Sequence, residues 1–151
     1  MGIGCDPHTQ MTALFEVQNS LYDAGARNFV FFNVPPTDRS PAGKLGISRL
    51  ITRNGSTSLR SRIGEWNVAL VDFTNEFRKN HNDVDVTIYD VAGLFNEVLD
   101  NPAKYGFENG TSRGDSKKCV WQDILHPTTA MHKVIATDVA KFLTYEEQRS
   151  T

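Results

Sequence analysis

Asp123 and His126 stand three residues apart in Trp121-Gln122-Asp123-Ile124-Leu125-His126-Pro127-Thr128. A carboxylate at that spacing can fix the tautomer of an imidazole and stabilise its charged form, which gives a base able to activate a weak hydroxyl nucleophile. The pair is therefore a candidate acid and base for acyl transfer. A plainer reading is a helix start, since an Asp ahead of a helix often caps it and Pro suits a first helical turn. Acyl transfer also needs a nucleophile, which has to come from elsewhere.

The apolar pattern supplies elements to position the pair. Met11, Leu14, Phe15, Val17 and Leu21 recur at helical spacing between Thr9 and about Ala24, and Gly25 follows where a helix would end. Residues 28–34 form a continuous apolar, aromatic and β-branched run stopped by Pro35-Pro36, the pattern of a buried parallel strand. Residues 35–57 read as a long loop with Ile47, Leu50 and Ile51 as apolar anchors. Leu59, Ile63, Trp66, Leu70, Phe73 and Phe77 then make one stripe of a helix running to about Asn80, a face that covers a sheet.

Residues 83–90 alternate and predict a second strand, and Val91 to Leu99 a short helix stopped near Asn101-Pro102. Residues 101–118, with Gly106, Gly110 and Gly114 and little apolar content, read as an exposed loop. Met131, Val134, Ile135, Val139, Phe142 and Leu143 define a last helix from about Pro127 to Thr144. This alternation is that of an α/β fold with a parallel sheet. Two strands are too few for the amphipathic helices around them, so the reading expects further strands before residue 1 or self-association through an exposed sheet edge.

With 151 residues, 39% of them hydrophobic, the chain can bury one core and make one domain or part of one. A net charge of −2 and no basic stretch argue against nucleic acid as a partner. No apolar run approaches the roughly 18 residues of a membrane span, and the N-terminus lacks the basic and apolar regions of a signal peptide. Asn54-Gly55-Ser56 and Asn109-Gly110-Thr111 nevertheless match glycosylation acceptors. Cys5 and Cys119 could make one disulfide or two unpaired thiols. His8, His81, His126 and His132 form no recognisable ligand set, so neither a metal nor another cofactor is expected.

Taken in order, several fragments carry a resemblance: Leu21-Tyr22-Asp23-Ala24-Gly25-Ala26-Arg27, Asn33-Val34-Pro35-Pro36, Trp66-Asn67, Tyr89-Asp90-Val91, Asn101-Pro102 with Tyr105-Gly106-Phe107, Cys119, and Trp121 through Thr128. The series resembles the GDSL, or SGNH, hydrolases, particularly the esterase branch that includes fungal carbohydrate acetylesterases. The resemblance implies a three-layer αβα flavodoxin-like fold, here incomplete, with residues 1–145 as the C-terminal portion of one hydrolase domain and 146–151 as a polar tail. It implies serine acyl transfer on an ester, with Asp123 as acid and His126 as base. An acetylated carbohydrate or a lipid ester would be the substrate, and an extracellular location follows from the family and the two glycosylation patterns. Trp121 would pack beneath the segment rather than line an acyl or sugar pocket, and Cys119 would bond another cysteine.

Departures from the family matter equally. Its members begin with a strand and a Gly-Asp-Ser elbow, followed by a glycine and a Gly-x-Asn-Asp segment that build the oxyanion hole. This chain starts at or after the last of these, with Ile3-Gly4-Cys5-Asp6 as a remnant lacking the asparagine. Gly114-Asp115-Ser116 spells the nucleophile motif, but its polar surroundings do not suit a strand-to-helix elbow, and it is rejected. Without a serine and oxyanion donors, activity of the chain alone is expected to be absent or impaired. The competing reading is a non-catalytic remnant that holds a carbohydrate or a protein through its sheet edge or the loop at 35–57.

Overall fold

A computed structural model describes residues 6–45 and 58–149 as a mixed helical structure with two short parallel sheets. Helix α1 (Pro7–Asp23) starts where the Asp6 carboxylate accepts the Thr9 N–H, and it ends before Gly25, whose φ of 104° favours a residue without Cβ. Strand β1 (Asn28–Phe32) leads into a 3₁₀ turn at Thr37–Arg39 and the single-turn helix α2 (Pro41–Lys44). Ser58 then caps the long helix α3 (Leu59–Asn80).

Strand β2 (Asp85–Tyr89) pairs in parallel with β1, from Asn28↔Asp85 to Phe32↔Tyr89. Asp90 caps helix α4 (Val91–Asp100), and a 3₁₀ turn follows at Pro102–Tyr105. Strands β3 (Asn109–Arg113) and β4 (Cys119–Trp121) pair in parallel with an irregular register, ahead of helix α5 (Thr129–Arg149).

Alternation along β1 and β2 divides the packing. Phe29 and Val86 point towards α1 and α3, where Met11, Phe15, Leu70 and Phe77 close one apolar cluster. The rings interlock, with Phe77 edge-on to Phe29 at 5.1 Å. Tyr89 points the other way, into a second cluster with Phe95, Val98, Val120, Trp121 and Met131. Its phenol donates to Asp138 Oδ2 at 2.7 Å, and burial together with that bond pushes its pKa far above the ordinary tyrosine value.

The α1, β1, α3, β2 and α4 elements lie within a few residues of their expected positions. Five expectations change, the first being the long loop at 35–57, within which the 3₁₀ turn at Thr37–Arg39 and α2 form under the Ser40 cap. Strand β1 is parallel but not buried throughout: Val30 is 40% and Phe32 47% exposed, because α1 and α3 cover only the opposite face. Residues 101–118 are not one loop, since β3 forms there by pairing with β4 rather than from any apolar pattern of its own. Helix α5 starts at Thr129 rather than Pro127, and it continues through Tyr145-Glu146-Glu147-Gln148 to Arg149 instead of ending at Thr144. No breaker interrupts that stretch, and Glu, Gln and Arg are good helix formers.

Cys119 is buried, while Cys5 lies outside the described residues. So do Asn54, the Ile47, Leu50 and Ile51 anchors, and the Ile3-Gly4-Cys5 fragment. Asn109 is exposed at the start of β3. Among the described residues no helix is long and apolar enough to cross a membrane.

Candidate active site

Residues 119–128 fold into a hook whose two sides bind each other. Thr128 N–H donates to the Val120 carbonyl at 2.9 Å and Gln122 N–H to the His126 carbonyl at 2.7 Å. Trp121 and Pro127 form an antiparallel bridge. The Thr128 hydroxyl is buried, donates to the Cys119 carbonyl at 2.8 Å and accepts the Met131 N–H at 3.2 Å. Thr128 thus starts α5 and closes the hook with one side chain. Asp123 is not the helix cap, so the plain helix-start reading does not account for it.

Asp123 serves the loop between. Its Oδ1 accepts the Leu125 N–H at 2.7 Å and the His126 N–H at 2.8 Å, and its Oδ2 lies 2.7 Å from His126 Nδ1. The backbone N–H groups of His126 and Leu125, then the imidazole, hold its pKa down at about 2. An ionised carboxylate only accepts, so Nδ1 carries the hydrogen, and the neutral form of the ring is the tautomer with its lone pair on Nε2. The side chains of His126 and Asp123 are 72% and 52% exposed, which leaves Nε2 open to an incoming hydroxyl.

The residues just after the carboxyl ends of β1 and β2 bind one another. Asn33 Nδ2 donates to Asp90 Oδ1 at 2.6 Å, and its Oδ1 accepts the Ala92 N–H at 2.8 Å. Asn67 on α3 accepts the Val34 N–H at 2.8 Å and donates to the Val34 carbonyl at 3.0 Å. Arg39 reaches Asn96 and Asp100 on α4. The segment ends at Ala42, whose N–H donates to the Ile124 carbonyl at 2.7 Å. Asn33 and Asn67 stood out in the sequence only as fragments, while Arg39, Ser40 and Ala42 carried no sequence signal.

No serine hydroxyl among the described residues is hydrogen-bonded to His126. Ser20, Ser40, Ser58, Ser61, Ser112 and Ser116 are each bonded to nearby groups of their own segments. Ser116 accepts the Lys118 N–H at 3.2 Å in the turn between β3 and β4. A turn joining two strands is not a strand-to-helix elbow.

Trp121 is 2% exposed, rests beside Phe95 and donates from Nε1 to the Gly110 carbonyl at 2.9 Å. It packs under the hook. His81 lies against the Tyr22 and Phe77 rings, tilted to both, and His8 meets Phe73 edge-on. Among the described residues no cluster of three or more His, Cys, Asp or Glu is placed to hold a metal ion.

No protein-family model matches the chain. The acetylesterase of Thermothelomyces thermophilus is 34% identical over 131 residues, covering 86% of this chain and 42% of that protein. A GDSL esterase/lipase of Arabidopsis thaliana is 27% identical over 160 residues, covering 88% of this chain and 40% of the relative. The thermolabile hemolysin of Vibrio parahaemolyticus serotype O3:K6 is 23% identical over 141 residues, covering 77% and 32%. The chain is thus related to GDSL-type esterases over most of its residues, and it spans less than half the length of these relatives.

Proposed function

We propose, from this kinship, that the chain carries the acid and base of a GDSL-type serine esterase, with acetyl esters as the substrate class and a three-layer flavodoxin-like domain as the scaffold. The 2.7 Å approach of Asp123 Oδ2 to His126 Nδ1, with Nε2 open, carries the reading. His126 Nε2 takes the proton of a serine hydroxyl as the oxygen attacks the ester carbonyl, and returns it to the leaving alcohol. A water is then deprotonated at the same nitrogen and attacks the acyl-enzyme, and as the acyl–oxygen bond breaks the proton passes from Nε2 to the serine oxygen, releasing the acid and restoring the serine hydroxyl. Asp123 stays ionised and supports the imidazolium in both halves.

Hydrolysis by the chain alone is negligible on this reading, because none of its described serines is bonded to His126. The name of the Thermothelomyces relative favours an acetyl ester, and an acetylated carbohydrate is the narrower choice. The exposed Asn109 of its acceptor pattern fits an extracellular protein.

The test is p-nitrophenyl acetate hydrolysis by the chain and by a chimaera extended N-terminally with the corresponding segment of that acetylesterase. Activity in the chimaera alone, lost in His126→Ala, supports the proposal. A folded chimaera without serine-dependent activity would sink the hydrolase reading. Activity in the unextended chain that Ser116→Ala abolishes would overturn both the impairment and the rejection of Ser116.

A further inference from the structure

We infer that the turn at 37–43 is the positioning element of the acid–histidine loop, acting through the Ala42 N–H on the Ile124 carbonyl. Its functional meaning rests on Asp123 and His126 being the acid and base. Ile124 lies between those two residues, and its 2.7 Å bond to Ala42 ties residues 123–126 to a different element. The stem of the hook is bound to β3 and the turn after it, by the Gly114 N–H on the Trp121 carbonyl and the Cys119 N–H on the Ser116 carbonyl. The other backbone bond of residues 123–126, Gln122 N–H on the His126 carbonyl, stays within the hook, and neither site side chain is packed in the interior. The orientation of the exposed tip at 123–126 on its fixed stem therefore depends on what holds Ala42.

Ala42 is held from both sides. Ser40 is wholly buried, and its hydroxyl donates to the Thr37 carbonyl at 2.6 Å while accepting the Gly43 N–H at 3.1 Å. Gly43 lies so close to the preceding turn that a Cβ would stand 2.2 Å from the Asp38 carbonyl oxygen. That neighbour is backbone, so a methyl group there forces the turn to move. Outside the turn Asn67 fixes Val34 to α3, and within it Arg39 fixes the chain to α4. A braced path thus runs from two helices through Ser40 and Gly43 to Ile124. Catalytic groups need such support, since displacement by about 1 Å can cost on the order of 10²-fold in rate.

Gly43→Ala and Ser40→Ala test this in the chain as it stands, with Asp6→Ala as a control that loosens the start of α1, a helix outside the braced path. The reading is the titration of the Asp123 carboxyl carbon by NMR, alongside circular dichroism and thermal melting. In Gly43→Ala the midpoint rises from about 2 toward the ordinary carboxylate range, because the Leu125 and His126 N–H groups no longer converge on it. In Asp6→Ala it stays in place while the melting temperature falls. An unmoved midpoint in a folded Gly43→Ala chain overturns the inference, as does an equal movement in the control. If Gly43→Ala does not fold, Ser40→Ala decides by the same criteria. Since this reading needs no ester turnover, its failure is separable from failure of the esterase proposal.

Discussion

Asp123 divides its carboxylate within His126's own loop: Oδ1 binds the His126 backbone N–H at 2.8 Å and Oδ2 faces the His126 ring at 2.7 Å. One side chain therefore shapes the turn and selects the imidazole tautomer. Replacing it separates the two roles.

Asp123→Asn keeps a carbonyl oxygen that can accept the Leu125 and His126 N–H groups but turns an amide donor towards Nδ1. The ring is then driven to the tautomer with its hydrogen on Nε2. In the extended chimaera, kcat for p-nitrophenyl acetate is expected to drop by roughly 10³–10⁴-fold, by analogy with loss of the acid in a Ser-His-Asp triad. Circular dichroism should remain that of the parent. A loss below about tenfold would remove Asp123 from the mechanism.

The pH response of the loop has a defined sign. The carboxyl of Asp123 titrates at about 2 in the folded chain, below its ordinary value of 3.8. Its contribution to loop order is thus complete above about pH 4 and disappears as pH falls through about 2. The His126 and Leu125 amide resonances followed from pH 6 to pH 1.5 (about the acid limit of the experiment) should move together with that low midpoint. Movement centred near 4 would contradict the three-bond arrangement.

Trp121→Ala is expected to destabilise the chain by about 3–5 kcal/mol, the usual cost of deleting a large buried aromatic side chain. Urea unfolding would measure it. A loss under about 1 kcal/mol would instead favour Trp121 as a pocket lining rather than a core residue.

Thr74 on α3 is 1% exposed, and its hydroxyl has no hydrogen-bond partner among the described residues. Thr74→Val removes that polar group at nearly constant shape, so a gain of about 1 kcal/mol in unfolding free energy is expected. Clear destabilisation in the same urea experiment would mean the hydroxyl is satisfied in solution.

Legibility in the sequence followed the range of the interactions. The α3 stripe of Trp66, Leu70, Phe73 and Phe77 repeats at helical spacing, and the helix lies where that spacing places it. Strand β3 was missed because Asn109-Gly110-Thr111-Ser112-Arg113 has no apolar alternation, and its partner β4 is only three residues long. The exposure of Val30 and Phe32 was missed for another reason. An apolar run predicts a strand without saying whether an element lies over each face.

What the sequence determined by itself was the Asp123–His126 pair and the helices and strands with strong periodicity, because both depend on residues a few positions apart. Tertiary structure decided the rest of the site. It brought Ala42 to Ile124 and Asn67 to Val34, and it placed Ser116 in a turn between strands. Those outcomes depend on where separate segments pack, and hydrogen bonds between distant residues leave no periodic mark on the chain that makes them.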